Sequence, residues 1–242
     1  MKILAFDTSL GALSAAVRWR SADGVWLLRE AHEVRERSHA ERLMPVILKL
    51  MGEAGLPFCE LDRIAVTIGP GNFTGVRVGV AAARALALAT GAPTVAASSL
   101  AVMAHQSSEA LGTRRRGRVL AVALDARRGS VYLQLFPCGH HAAGPPQLVS
   151  PSTAAQLIGR TPTIIVGSGA MLVGQALAAG DGEAETMLLD LLPSARALAL
   201  LASELAPTRP LRPLYLKPPD VKPPADPSLL RACPSANSTE LR

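Results

Sequence analysis

The 242-residue sequence predicts an α/β protein of two lobes with related topology, the second abbreviated. Three observations predict it. Apolar strand-like runs alternate with segments of helical periodicity along most of the chain. A strand, acid, turn and strand pattern occurs twice: KILAFD, SLGA and LSAAVRW at the start, then RVLAVALD, an RRG turn and SVYLQLFP from Arg118 to Pro137. Each copy is followed by further helix and strand signals, the composition of a layered α/β unit.

Taken in order, Lys2–Phe6 reads as a buried strand ending at Asp7. Leu13–Arg20 and Val25–Ala31 flank Asp23-Gly24, a hairpin signal. Ser38 and Glu41 have capping-box spacing, and Leu43, Ile47, Leu50 and Ala54 follow at helical spacing, with Pro45 expected to kink the helix. Arg63–Ile68 is the next strand, a glycine turn and a long helix come after it, Thr94–Ala97 is short and extended, and Leu100–Leu111 is helical. Past the second hairpin, helices are expected near 152–159, 170–179 and 194–205, with a strand at Thr163–Val166. The lobes are placed at 1–103 and 104–217. PLYLK (Pro213–Lys217) is extended against the body, and the Pro-rich tail 218–242 is left without structure.

Composition narrows the function classes. With 49% hydrophobic but only 3% aromatic residues, the core must be aliphatic and alanine-rich. No run reaches the roughly 18 apolar residues of a membrane span, and Asp7 interrupts any signal-peptide core, so a cytoplasmic protein is expected. Cys59, Cys138 and Cys233 form no CxxC pair and read as reduced thiols. The formal charge is +6. Arg114, Arg115, Arg116, Arg118, Arg127 and Arg128, against Asp125 alone, carry most of it. That stretch is either a solvated loop or an RNA contact.

The glycine loop IGPGNFTG (Ile68–Gly75) resembles neither standard nucleotide loop. Gly75 is followed by Val76 and Arg77 where a Walker A loop needs lysine. No acid lies between Asn72 and Ser108 to hold a ribose. Gly69, Gly71 and Asn72, with the helix N–H groups behind them, leave either an anion loop or a tight turn closing a crossover. The helix itself places Gly75, Gly79, Ala83, Ala87 and Gly91 on one ridge, four apart. Glycine within a helix costs about 1 kcal/mol relative to alanine, so a second helix is expected close against that ridge, from this chain or another. Arg77 and Arg84 form a polar stripe on another face.

ILAFDTS, RSHAERLMP, IGPGNFTGVRVG, DARRGSVY and PLYLK stand in the order and spacing of the bacterial TsaB proteins of tRNA threonylcarbamoyladenosine biosynthesis, and the resemblance spans roughly residues 2–217. It implies an actin-like (ASKHA) fold and a role in placing threonylcarbamoyl on the adenosine beside the anticodon. It implies a TsaD-like transferase and a TsaE-like ATPase as partners, tRNA reached through the complex, and a homodimer when the partner is absent. The pairing surface it implies is the helix pair Ser38–Ala54 and Thr74–Ala89, with Leu43, Ile47, Leu50, Gly75, Gly79, Ala83 and Ala87 in it. ATP and magnesium would sit at the complex interface, with no cofactor or metal on this chain alone.

The residues themselves favour no catalysis. His32, His39, His105, His140 and His141 contain no i, i+4 metal pair, and no nucleophile is recognisably paired with His39, so neither a metal site nor a protease is expected. Asp7, Thr8 and Ser9 are a vestigial nucleotide turn or a backbone cap. The competing reading is a small actin-like kinase or ATPase with Asp7 and Asp125 around Mg-ATP.

Overall fold

The computed structural model describes residues 1–34, 39–137, 141–180 and 182–217. In the first lobe, β1 (Ile3–Asp7), β2 (Ala12–Arg20), β3 (Trp26–Val34), α1 (His39–Ala54), β4 (Arg63–Thr67), α2 (Phe73–Thr90) and β5 (Thr94–Ala97) follow in order. The second lobe holds β6 (Val119–Arg127), β7 (Ser130–Phe136), β8 (Gln147–Val149), α4 (Pro151–Ile158), β9 (Thr163–Val166), α5 (Ala170–Ala178) and β10 (Ala184–Met187). Helices α3 (Ser99–Leu111) and α6 (Ala195–Leu201) come after β5 and β10.

The two sheets have the same topology. The first runs β3-β2-β1-β4-β5 and the second, read from the same side of the repeat, β8-β7-β6-β9-β10. In both, the first three strands are antiparallel and the last two join the first in parallel. The repeat legible in the sequence is therefore a complete duplication, abbreviated in element length only: α5 has 9 residues where α2 has 18. β8 and β10, of three and four residues, are the strands the sequence reading missed.

Central strands β1, β4, β6 and β9 are apolar runs because both sheet faces are covered. α1 and α2 bury Leu43, Ile47, Leu50, Val76 and Val80 on Leu4, Phe6, Leu13 and Val66. The other face of that sheet, with Ile3, Ala5, Ala65 and Val95, is covered by α6, whose Ala195, Ala197 and Ala199 allow close approach. α3 does the same for the second sheet, on Leu120, Val122, Ile164 and Val166, while α4 and α5 cover Ala121, Ala123 and Ile165. Each lobe's third helix thus follows its own sheet in sequence and packs on the other lobe's sheet. The boundary expected after residue 103 falls within α3.

α1 is unbroken through Pro45, which is exposed; Ser38 of the expected capping box lies outside the described residues, as do Cys138, His140, Cys233 and the tail 218–242. α2 is capped at Asn72 and ends at Gly91, in the left-handed region with φ 76°. Beyond α6 the chain forms a strap: Thr208 N–H donates to Thr94 O at 2.7 Å and Leu214 N–H to Ile68 O at 2.7 Å, with Leu211 in the core. Arg84 Nε donates to Leu211 O at 2.9 Å and Arg77 Nε to Tyr215 Oη at 2.8 Å. The polar stripe of α2 is thereby spent on holding the strap.

Candidate functional site

The glycine loop and the end of β1 fit into one another. A Cβ on Gly71 would lie 2.2 Å from Ser9 O, one on Gly75 2.0 Å from Thr8 O, and one on Gly79 2.8 Å from Thr8 Oγ1. No side chain fits at those distances, so Gly71 and Gly75 admit the Thr8-Ser9 backbone and Gly79 admits the Thr8 hydroxyl. The closest contact of the small-residue ridge, at Gly75 and Gly79, is the turn after β1, with His39 of α1 beside Gly75. Thr8 Oγ1 donates to Gly75 O at 2.7 Å, and Asn72 N–H to Ser9 O at 2.7 Å. Gly69, at φ 102°, lies where a Cβ would be 3.0 Å from Leu214 O of the strap.

The anion reading of Asp7, Thr8, Ser9, Gly69, Gly71 and Asn72 is corrected by the same contacts. The N–H groups at the start of α2 that would face a phosphate are bound: Asn72 Oδ1 accepts from Thr74 N at 3.0 Å and Gly75 N at 3.3 Å, and Asn72 O from Val76 N. Asp7 is fully buried. Its Oδ1 accepts from Ser9 Oγ at 2.6 Å, from Ser9 N at 3.2 Å and from Thr67 Oγ1. Ser99 Oγ donates to Ser9 Oγ at 2.8 Å, tying α3 into the cluster. Oδ2 has no hydrogen-bond partner among the described residues. Burial raises the Asp7 carboxyl to about 6, opposed by the hydrogen bonds from Ser9 and Thr67.

Asp125 is not the counterpart of Asp7. Asp7 alternates onto the sheet face of Ile3 and Ala5, beneath α6, whereas Asp125 alternates with Ala121 and Ala123 onto the face covered by α4 and α5. Asp125 is exposed, and its carboxylate accepts from Arg127 N at 2.7 Å. The second-lobe turn is closed as tightly as the first, since a Cβ on Gly167 would lie 2.5 Å from Ala123 O.

The helix pair is present, but the residues expected to form its partner surface face inward. Leu43, Ile47, Leu50, Gly75, Gly79 and Ala83 are buried in the first-lobe core, and Ala87 is half-buried. Their periodicity marks the core stripe. The outward residues are Met44, Leu48, Ala81, Ala85 and Leu88, with Leu48 at 57% and Leu88 at 90% exposure. Contrary to the expectation that no segment is long and apolar enough to span a membrane, the 18 residues of α2 reach a mean hydropathy of 1.3, with 33% of them buried. At its N-terminal end, Phe73 and Tyr215 stack at 5.3 Å, and the Arg77 guanidinium lies 3.6 Å from the Phe73 ring centre. The sequence placed PLYLK against the body but gave no sign of this stack.

The six arginines do not form one patch. Arg114, Arg115, Arg116 and Arg118 precede β6 and Arg127 and Arg128 end it, nine strand residues away, which is about 30 Å. Arg115 is buried, with Nη2 donating to Phe136 O at 2.8 Å. Arg118 pairs with Glu185 at 2.5 Å and Arg114 with the same carboxylate at 3.7 Å. His39, the histidine beside the loop, is buried against Gly75.

With this geometry in place, comparison with known proteins is direct. Residues 32–157, just over half of the chain, match the family model of TsaD, tRNA N6-adenosine threonylcarbamoyltransferase. The TsaB protein of Escherichia coli is 37% identical over 132 residues, covering 54% of this chain and 53% of that protein. The chain belongs to the TsaB family of tRNA threonylcarbamoyladenosine biosynthesis proteins. An uncharacterized protein of Mycobacterium tuberculosis is 34% identical over 227 residues, 91% of this chain and 94% of that one. The solved structure of YeaZ from Pseudomonas aeruginosa superposes with a TM-score of 0.71 at 28% identity, covering 89% of this chain and 99% of that one. Alignments to the relatives named TsaB, and to an uncharacterized Mycobacterium leprae protein, span 42–55% of the length of those proteins. The TsaB resemblance and the two-lobed α/β fold it implied both hold.

Proposed function

We propose that this chain is a non-catalytic subunit of the threonylcarbamoyladenosine machinery, and that the outer faces of α1 and α2 dock and activate a TsaD-like paralogous subunit. The observation that carries this is an 18-residue helix with mean hydropathy 1.3 of which only a third is fully buried. Met44 and Leu48 on α1 and Ala81, Ala85 and Leu88 on α2 are exposed apolar residues of the pair. Helices with small side chains approach closely, and an exposed apolar patch of this kind is a contact surface. The occupant is a paralogue because the TsaD family model matches the very residues that build this pair, so the partner carries a like pair and the two form a pseudo-symmetric four-helix contact. In the absence of the partner a second copy of this chain takes that place. A TsaE-like ATPase and tRNA join through the complex, ATP and magnesium sit at its interface, and the work is done in the cytoplasm.

The kinase reading is disfavoured by the burial of Asp7 and the occupied N–H groups of α2. A peptidase reading is disfavoured because His39 is enclosed beside Gly75.

The test is co-purification of the full chain with its TsaD-like partner. Leu48→Glu and Leu88→Glu are each expected to weaken the complex at least about ten-fold while leaving the unfolding temperature unchanged, because removal of an apolar anchor from an interface costs more than about 1 kcal/mol. Undiminished capture of the partner by both variants would discard the docking assignment.

A further inference from the structure

We propose that the second lobe carries an RNA-backbone site of its own, at the N-terminal ends of β6, β9 and β10. Two clefts meet there and share Arg118. One, of about 510 Å³, is lined by Gly112, Thr113, Arg115, Arg116 and Gly117. The other, of about 630 Å³, is lined by Arg160, Thr163, Gly182, Glu183 and Glu185. They are adjacent because β6 and β9 run side by side in parallel, with Val119 paired to Thr163, and Val119 N–H donates to Pro162 O at 2.9 Å. Strand pairing therefore brings Arg160 to a cluster 42 positions earlier in sequence.

The charge balance is one-sided. With Arg114 at the rim, five arginines surround the two clefts, against Glu183 and Glu185 among the described lining residues. Glu185 is engaged by both Arg118 and Arg114, which orients them without cancelling the excess. Arg115 is buried and bonded to Phe136 O, so it holds the turn and lends charge from beneath. Arg116 and Arg160 are exposed. Gly112 and Gly117 have φ of 49° and 74° and carry no side chain, which keeps the turn low between the arginines.

The chemistry fits phosphodiesters. Guanidinium forks match phosphate oxygens in pairs. Among the described residues neither cleft is lined by an aromatic, so the site offers guanidinium groups rather than a base-stacking platform, which suits recognition of backbone independent of sequence. Arg127 and Arg128, at the other end of β6, are outside this site. The proposal goes beyond partner docking and uses the other lobe.

The experiment is fluorescence anisotropy of a labelled tRNA transcript with the full chain, titrated with salt. Two variants of equal charge are compared: Arg116→Gln/Arg160→Gln and Arg127→Gln/Arg128→Gln. Each lost phosphate contact lowers the slope of log K against log salt by about 0.7–0.9. The first pair is expected to reduce the slope by about 1.5 and weaken binding roughly ten-fold or more at 0.1 M salt; the second is expected to leave both unchanged. Equal losses for the two pairs, absence of tRNA binding by the wild-type chain, or binding to anionic vesicles with none to tRNA would each overturn the proposal. Co-purification of the Arg116/Arg160 variant with the TsaD-like partner separates this outcome from failure of the docking reading.

Discussion

At the scale of single residues, Asp7 is a carboxyl fully buried and held through one oxygen by Ser9 and Thr67. Its carboxyl is raised by burial to about 6 from 3.8 in the unfolded chain. Between those two values the folded state binds the extra proton, so this group's contribution to stability falls as pH rises through about 4 to 6 and is constant above and below. For this buried group the difference corresponds to about 3 kcal/mol. Asp7→Asn keeps an acceptor for Ser9 and Thr67 and removes the ionisation. It is expected to flatten that part of the stability profile, as checked by urea denaturation of wild type and variant across pH 4–7. An unchanged pH dependence would mean that other groups set it. The sequence showed Asp7 as the end of a strand before Thr8-Ser9. It could not show that Thr67 and Ser99, 60 and 92 positions away, would enclose it.

At the scale of elements, α2 separates what spacing reveals from what it conceals. Small residues four apart correctly required a close neighbour. A period of four fixes which residues share a face but not what lies opposite, and the neighbour is the Thr8-Ser9 backbone. Gly75→Ala therefore forces Cβ against Thr8 O and is expected to cost about 1–3 kcal/mol or more. Gly52→Ala, within α1 and with nothing inside 4 Å of the added Cβ, is expected to stabilise by about 0.5–1 kcal/mol. Thermal unfolding of the two variants checks both signs. The inverse error affected α1: Leu43, Ile47 and Leu50 were legible as a stripe, and a stripe is first of all a core face. The contact surface proposed above lies in Met44 and Leu48, between those positions, where no periodic signal pointed.

At the scale of the whole molecule, the exchange of third helices joins the lobes. α6 covers the first sheet and α3 the second, and Ala195 N–H donates to buried Ser14 Oγ at 2.8 Å across that junction. Neither sheet is covered on both faces by its own lobe's residues alone, so the two are expected to unfold together. Both tryptophans, Trp19 and Trp26, are in the first lobe. Tryptophan fluorescence therefore reports the first lobe and far-UV circular dichroism the whole chain. Coincident midpoints are expected, and two separated transitions would show independent lobes.

What the sequence by itself determined is local and periodic: the strands whose apolar runs need cover on both faces, the duplicated hairpin, the extended strap, the helix pair and the family to which these motifs belong. Hydrophobic period and turn chemistry act over a few residues, and these features need nothing more. What only the tertiary structure decided is which faces point outward and which distant residues meet. The glycine ridge closes on β1, Asp7 and Asp125 leave their sheets on non-corresponding faces, Arg77 and Arg84 hold the strap, and Arg160 joins Arg116 while Arg127 is carried a strand's length away. Each of these is set by strand pairing and layer packing between segments far apart in the chain, and no local pattern encodes that.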